Sequence, residues 1–307
     1  MKTKRFLVLF GALLAVAGLT AAWTPILVKP PVLLTPVNCG PKVPSRAYDA
    51  ATISWQSAVG AANIDYGALQ NVDQFVFNLK QAGVFALLDD FGFLTVANAA
   101  QTKSFLKHRT LNLVNGATVV TGTAGGGGTP GLVTDGVSQY GDTQYVPSVD
   151  SVAASAANFG LSVVELANLG ANNIAFGVSD SASVNAYLQP RPTASTVGAR
   201  VNSNILSGTL AVQTSVGLTH GQRDSSTTAE VYKNGASVSV TAPTTNGVAL
   251  AAHSLFVGGL SNIGVASNFR ASTYGFWSFG ASMNATQAAA FYTAVKAYFT
   301  YYGVALP

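Results

Sequence analysis

Hydrophobic positions recur with a helical period near both ends of the chain and with an alternating period between them. Asp49 stands ahead of Ile53, Trp55 and Val59 and predicts a short capped helix. Leu69, Val72, Phe75, Val76 and Leu79 follow at helical spacing, with Gly83 placed to end that helix. A dense apolar patch comes next (Val84, Phe85, Leu87, Leu88, Phe91, Phe93), then a third short helix predicted from Ala97 to Leu106. From Leu111 the period shortens to that of strands and turns. Phe159–Leu166 and Ala175–Val178 read as strands, and Leu210, Val212, Val216 and Leu218 alternate with polar residues as one long strand facing a core. Two β-rich runs flank Asn234-Gly235, the dipeptide that most readily takes the positive φ angles of a type I′ hairpin. At the end, Asn284 and Gln287 have capping-box spacing, and Ala288, Phe291, Tyr292, Val295, Phe299 and Tyr302 line one helix face up to Gly303.

Several of these stretches also carry a family resemblance. They are the run Asp73–Phe85 with Asp89 beyond it, Thr134–Tyr140 continued by Gly141-Asp142-Thr143, and the Tyr232–Gly235 hairpin. Leu255–Gly259, Tyr274–Gly280 and the C-terminal helix complete the series. In this order they resemble the laminin-G/concanavalin A-like jelly-roll domain of the type found in bacteriophage virion proteins. The resemblance implies a mainly β, antiparallel jelly-roll sandwich, with a helical prelude over 48–110 and the sandwich with its C-terminal helix over 111–307. It further implies a non-enzymatic structural or adhesion component of a tailed phage (tail, fibre or decoration protein), located in the virion. Its partners would be other virion subunits, copies of itself and a host-surface glycan. The alternatives are an exported, lectin-like carbohydrate-binding protein, secreted or at the cell surface, and a glycoside hydrolase.

Composition narrows the field. Charged residues make up 9% and glycines number 31, which suits short strands and turns and excludes a coiled coil or a charged disordered chain. The net charge of +4 does not indicate nucleic acid, because Lys2, Lys4, Arg5, Lys29, Lys42 and Arg46 supply it before residue 47. Beyond them, 10 basic residues face 12 acidic ones. Cys39 is the sole cysteine and forms no internal disulfide. Residues 1–23 carry Lys2, Lys4 and Arg5, an apolar run from Phe6 to Leu19 and Thr20-Ala21-Ala22, the pattern of a secretory signal. The same segment also suits an uncleaved anchor or a hydrophobic arm. Residues 24–47 hold Pro25, Pro30, Pro31, Pro36, Pro41 and Pro44 and read as an extended linker or arm.

Candidate chemistry is sparse. The two glutamates, Glu165 and Glu230, are far apart in sequence and lie in no Glu-x-Asp-x-x-Glu motif; Glu230 is expected to face solvent beside the hairpin. No Gly-x-Ser-x-Gly elbow occurs, and His108, His220 and His253 read as surface or strand-edge residues. No cofactor is indicated. Ca²⁺ would need rim aspartates such as Asp135, Asp142, Asp180 and Asp224, which suit turns equally well. Of the aromatics Tyr140, Tyr145, Tyr187 and Trp277, Tyr187 with Asn185 and Arg191 is the candidate glycan contact. Ile26, Leu27, Val28, Val32, Leu33 and Leu34 are apolar yet interleaved with prolines, so the arm cannot bury itself in a helix or a central strand. Truncation at Tyr48 is therefore expected to reduce assembly in light scattering. A truncated chain that assembles as well as the full one would defeat an assembly role for the arm.

Overall fold

A computed structural model describes residues 46–126, 129–170, 172–203, 206–211, 213–243 and 249–307. The signal-like segment and the arm residues Ile26 to Leu34 lie outside them. The Asp49 side chain caps α1 (Ala50–Val59) through the Ala51 amide, and Asp65 caps α2 (Tyr66–Gln81) through Ala68. Strands β1 (Leu88–Phe93), β2 (Asn112–Val114), β3 (Thr118–Val120), β4 (Gly131–Asp135) and β5 (Tyr140–Asp142) follow. After one helical turn, α3 (Pro147–Asp150), come β6 (Phe159–Glu165), β7 (Phe176–Ser179), β8 (Asn185–Thr193), β9 (Thr196–Val201) and β10 (Leu206–Thr209). Next are β11 (Gly217–Arg223), β12 (Ala229–Lys233), β13 (Ala236–Thr241) and β14 (Phe256–Val257). The chain ends with β15 (Leu260–Asn262), β16 (Val265–Ser267), β17 (Ala271–Gly280) and α4 (Ala285–Tyr301).

These strands form two sheets. Sheet A has the order β13-β12-β11-β6-β17-β4-β3, with β1 also on β17; sheet B has the order β10-β9-β8-β7-β14-β5-β2, with β15 also on β7 and β16 on β15. All pairings are antiparallel except β15 with β7. The nesting of β4 on β17, β5 on β14 and β6 on β11 is that of a wound jelly-roll ribbon. The fold is thus the mainly β sandwich that the sequence implied. Phe159, Leu161 and Val163 of β6 and Trp277 and Phe279 of β17 meet Leu188, Ala199 and Val257 of sheet B in the inter-sheet core. The opposite face of sheet A is covered as well. Val164, Leu218, Tyr232 and Phe276 pack on Val72, Phe75 and Val76 of α2 and on Phe291, Val295 and Tyr298 of α4. Phe75 sits within 6.0 Å, centroid to centroid, of Phe91, Phe93, Phe276 and Tyr298.

Three local expectations need correction. The apolar patch at 88–93 is not part of a purely helical segment: β1 pairs with β17 inside sheet A. Ala97–Leu106 forms only one short turn, Ala99–Thr102. The Leu106 amide goes to the Asp90 carboxylate and the Phe105 amide to Phe91 O, so those donors are lost to a helix. Val212 of the predicted strand from Leu210 to Leu218 lies outside the described residues, and 213–216 form no strand. Regular pairing starts at Gly217, because Asn168 Oδ1 takes the Ser215 amide and Lys233 Nζ takes its carbonyl.

The inter-sheet core also holds charge. Glu165, fully buried on β6, accepts from Arg270 Nε at 2.8 Å and Nη2 at 3.1 Å. Lys233 lies nearby, and burial pushes its amine down to about 7 against the pull of Glu165. Removing one member of a buried ion pair strands the other. Glu165→Ala should therefore lose about 3–5 kcal/mol in urea unfolding. The exposed Val240→Ala should stay within about 0.5 kcal/mol.

Candidate functional site

Two polar regions merit a functional reading, one on the outer face of each sheet. On sheet A, the alternation that points Val163 inward points Ser162, His220 and Gln222 toward α4. His220 is only 3% exposed, and burial holds its imidazole down at about 4, so the ring is neutral. The Ser162 hydroxyl bonds His220 Nδ1 at 2.8 Å, and His220 Nε2–H donates to Gln222 Oε1 at 2.8 Å. The amide of Gln222 is oriented by Met283, whose N–H donates to Oε1 and whose carbonyl accepts from Nε2. Ser162, His220 and Gln222 resemble a triad only in outline. Ser162 is wholly buried, and an amide stands where a carboxylate would orient the imidazole.

The chain ends in a cleft of about 360 Å³ lined by Asp224, Glu230, Tyr232, Ser282 and Asn284. Gln222 Nε2 lies 2.6 Å from Asp224 Oδ1 and 3.2 Å from Glu230 Oε2, so these oxygens are at most about 6 Å apart, a bound that admits the carboxylate spacing of retaining glycosidases. Burial and the adjacent Glu230 push Asp224 up to about 6. The Tyr232 hydroxyl donates to Glu230. Glu230 is half-exposed at this cleft, consistent with the expectation that it faces solvent, whereas the expectation of a surface His220 is overturned by its burial. Sequence reading missed the carboxylate pair because its members sit across the tight 224–228 turn. The signal was present in Gln222 and Glu230, which face each other across β11 and β12.

On sheet B, one rung of paired residues crosses six strands: Asn112, Asp142, Phe256, Gly177, Tyr187 and Arg200. Their neighbours Gly141, Val257, Phe176, Leu188 and Ala199 turn inward, so this rung faces out. Tyr140 extends it, stacking on Phe256 at 4.4 Å. Among the described residues no helix covers this face. Asn172 and Asn168 lie over part of it, Asn172 on Gln189 and Asn168 on Arg191.

The predicted glycan contacts all come from β8, but they are not equally available. The Asn185 amide is buried and spent on the Ser181 and Ala182 carbonyls. Tyr187 is 8% exposed, packed with Ile174 and Leu260 beneath the Arg200 guanidinium, 5.6 Å from its ring centre. Arg191 reaches Asn168 Oδ1 at 2.7 Å. Tyr145 and Trp277 are core residues. Of the rim aspartates, Asp135 receives the amides of Val137, Ser138 and Gln139, and Asp180 pairs with His253 at 2.7 Å. Among the described residues no cluster of metal-binding side chains forms.

No family model matches the sequence, and no curated protein matches it. Solved structures do resemble it. Domain 4 of AbnA, a GH43 extracellular arabinanase from Geobacillus stearothermophilus solved with arabinotriose, is 12% identical with a TM-score of 0.41, covering 66% of this chain and 97% of that one. The CBM40 of Ruminococcus gnavus IT-sialidase, bound to α2,3 sialyllactose, is 12% identical with a TM-score of 0.35, covering 48% and 91%. A mutant Trypanosoma rangeli sialidase displaying trans-sialidase activity is 14% identical with a TM-score of 0.40, covering 75% of this chain but 39% of its own. At these levels the likeness concerns fold alone.

The Asp224 carboxyl gives a pH signature. Its folded pKa lies above its ordinary value, so it binds its proton more readily folded than unfolded. The resulting stability is complete below about pH 4 and is lost as pH rises through about 6. Asp224→Asn should therefore raise the melting temperature above pH 6 and leave it nearly unchanged below pH 4. The gain should be under about 1 kcal/mol, since the half-exposed group is screened. A gain of equal size at both pH values would contradict the assignment.

Proposed function

We propose that this chain is a non-enzymatic structural and adhesion protein of a tailed-phage virion, holding a host-surface glycan on the outer face of sheet B. One observation carries the binding reading: sheet A is covered on both faces, whereas among the described residues no helix lies over the outer rung of sheet B, where Asn112 is exposed and Tyr140, Asp142 and Arg200 are half-exposed. A sugar has an apolar C–H face and a rim of hydroxyls. Half-buried Tyr140 and Phe269 offer ring surface to the first, and the paired Asn112 and Asp142 offer hydrogen bonds to the second. The virion setting is supported by the order of the sequence features over 48–307. The signal-like pattern of residues 1–23 favours the exported lectin-like alternative. Mass spectrometry of purified particles separates the two: a secreted chain cut after Ala22 would favour the lectin.

The acidic cleft favours a second reading, glycoside cleavage, with Asp224 as acid and Glu230 as nucleophile. Binding and cleavage differ in outcome on the same glycan panel. The full chain should bind without releasing reducing sugar, and Asp142→Ala or Tyr140→Ala should weaken binding at least tenfold. Release of reducing sugar that Asp224→Asn and Glu230→Gln both abolish would replace the binding reading with the hydrolytic one.

A further inference from the structure

The β2–β5 end of this face is set apart by its charge and by polar atoms that remain open to solvent. Tyr140 and Asp142 are two residues apart on β5, so both point outward, about 7 Å from one another. Burial and the nearby Asp142 carboxylate raise the Tyr140 phenol above its ordinary value, so its hydroxyl stays protonated and able to donate. Asn112 faces Asp142 directly across the β2–β5 pairing. Phe269 stands beside them, its ring centre 6.1 Å from that of Tyr140. Two ring surfaces, a carboxylate and an amide thus share one patch, in which Asn112 is exposed and the other three are half-exposed.

The carboxylate decides what this patch can hold. Asp142 Oδ1 accepts the Gln144 amide at 2.8 Å, while Oδ2, which is not sealed from solvent, receives no donor among the described residues. The arginines around it are spent or distant. Arg109 gives its guanidinium to the Asp150 carboxylate and the Gln144 carbonyl. Arg200, on the same rung, is four strands away, about 19 Å, and beyond the screening length at physiological salt. Asp135, at the turn that leads into β5, adds negative charge rather than offsetting it. An acidic sugar is therefore repelled here. A neutral sugar gains ring contact and an ordinary hydrogen bond at Oδ2. A protonated amine gains a charge-assisted bond, about twice as strong, and is attracted as well to the electron-rich faces of the rings.

We infer that the patch formed by Tyr140, Phe269, Asp142 and Asn112 binds a glycan of amino sugars with free amines, the sugar ring on Tyr140 and the ammonium on Asp142. This rests on the glycan-binding reading and gives it a ligand class. The spacing suits a single sugar unit. A pyranose stacked on Tyr140 extends its nitrogen substituent toward Asp142, about 7 Å along β5, and Asn112 across the pairing meets a neighbouring hydroxyl. An acetylated nitrogen is neutral and bulkier, so it forfeits the charge on which the preference depends.

The test measures affinity of the full chain for chitosan oligosaccharides, N-acetylated chitin oligosaccharides of the same length and polygalacturonate. Calorimetry is run at two salt concentrations in mildly acidic buffer, where the free amines are protonated. Chitosan should bind about fivefold or more tightly than chitin and weaken as salt rises, and polygalacturonate should bind least. Asp142→Asn, which keeps the shape and removes the charge, should bring chitosan down to the level of chitin with an unchanged melting temperature. Tyr140→Ala should weaken both. Equal binding of chitosan and chitin, insensitive to Asp142→Asn but lost in Tyr140→Ala, would overturn the amino-sugar inference and leave the glycan face standing. A chitosan preference that survives Asp142→Asn but is lost in Glu230→Gln would assign the amine to the acidic cleft of sheet A and overturn the inference too. Binding of none of the three would overturn both readings.

Discussion

Sheet A has to bury both of its faces, and the rest of the molecule follows from that. A sheet in a two-layer sandwich needs apolar residues on alternate positions only. Strand β17 instead carries Phe276 toward the helices and Trp277 and Phe279 toward sheet B, and it pairs with β6, β4 and β1. The glycines of this strand serve the crowding. A Cβ at Gly280 would stand 2.1 Å from the Leu87 carbonyl oxygen, and one at Gly275 would meet Phe299 at 2.4 Å. Neither place leaves room for a side chain. With both sides of sheet A consumed, the helices serve as cover, and surface suited to a large ligand falls to sheet B.

Legibility in the sequence follows the same division. Elements with one buried face were readable. Helix α4 showed its cap and stripe and the Asn234-Gly235 hairpin its turn, while β17, buried on both faces, was legible through the family resemblance of Tyr274–Gly280. The β8–β9 hairpin was not, because Asn185 to Thr193 holds two prolines and few β-branched residues, and tertiary pairing overrides that propensity. Strand β1 was absorbed into the helical segment, since an apolar run of that length does not declare its period. The outer face of sheet A was also opaque. Ser162, His220 and Gln222 are polar positions that alternation assigns to solvent, whereas the structure buries them under the start of α4. Of the site residues, Asn185, Tyr187 and Arg191 were singled out together, but not the strand that carries them. Arg200 was not singled out, because its place over the Tyr187 ring depends on the β8–β9 pairing.

The buried polar chain on sheet A has a physical logic of its own. Each link is spent: hydroxyl to imidazole, imidazole to amide, amide to carboxylates and to the Met283 carbonyl. A fully satisfied network fixes register and orientation, whereas one missing link leaves a costly orphan. Through Gln222 this network anchors Met283, the residue just before the Asn284 cap, and so sets where α4 begins. The Asp224 carboxyl at its end is held above its ordinary range, a strain on the folded state at neutral pH. Such a group beside an open cleft suits the pattern in which stability is given up at sites of interaction.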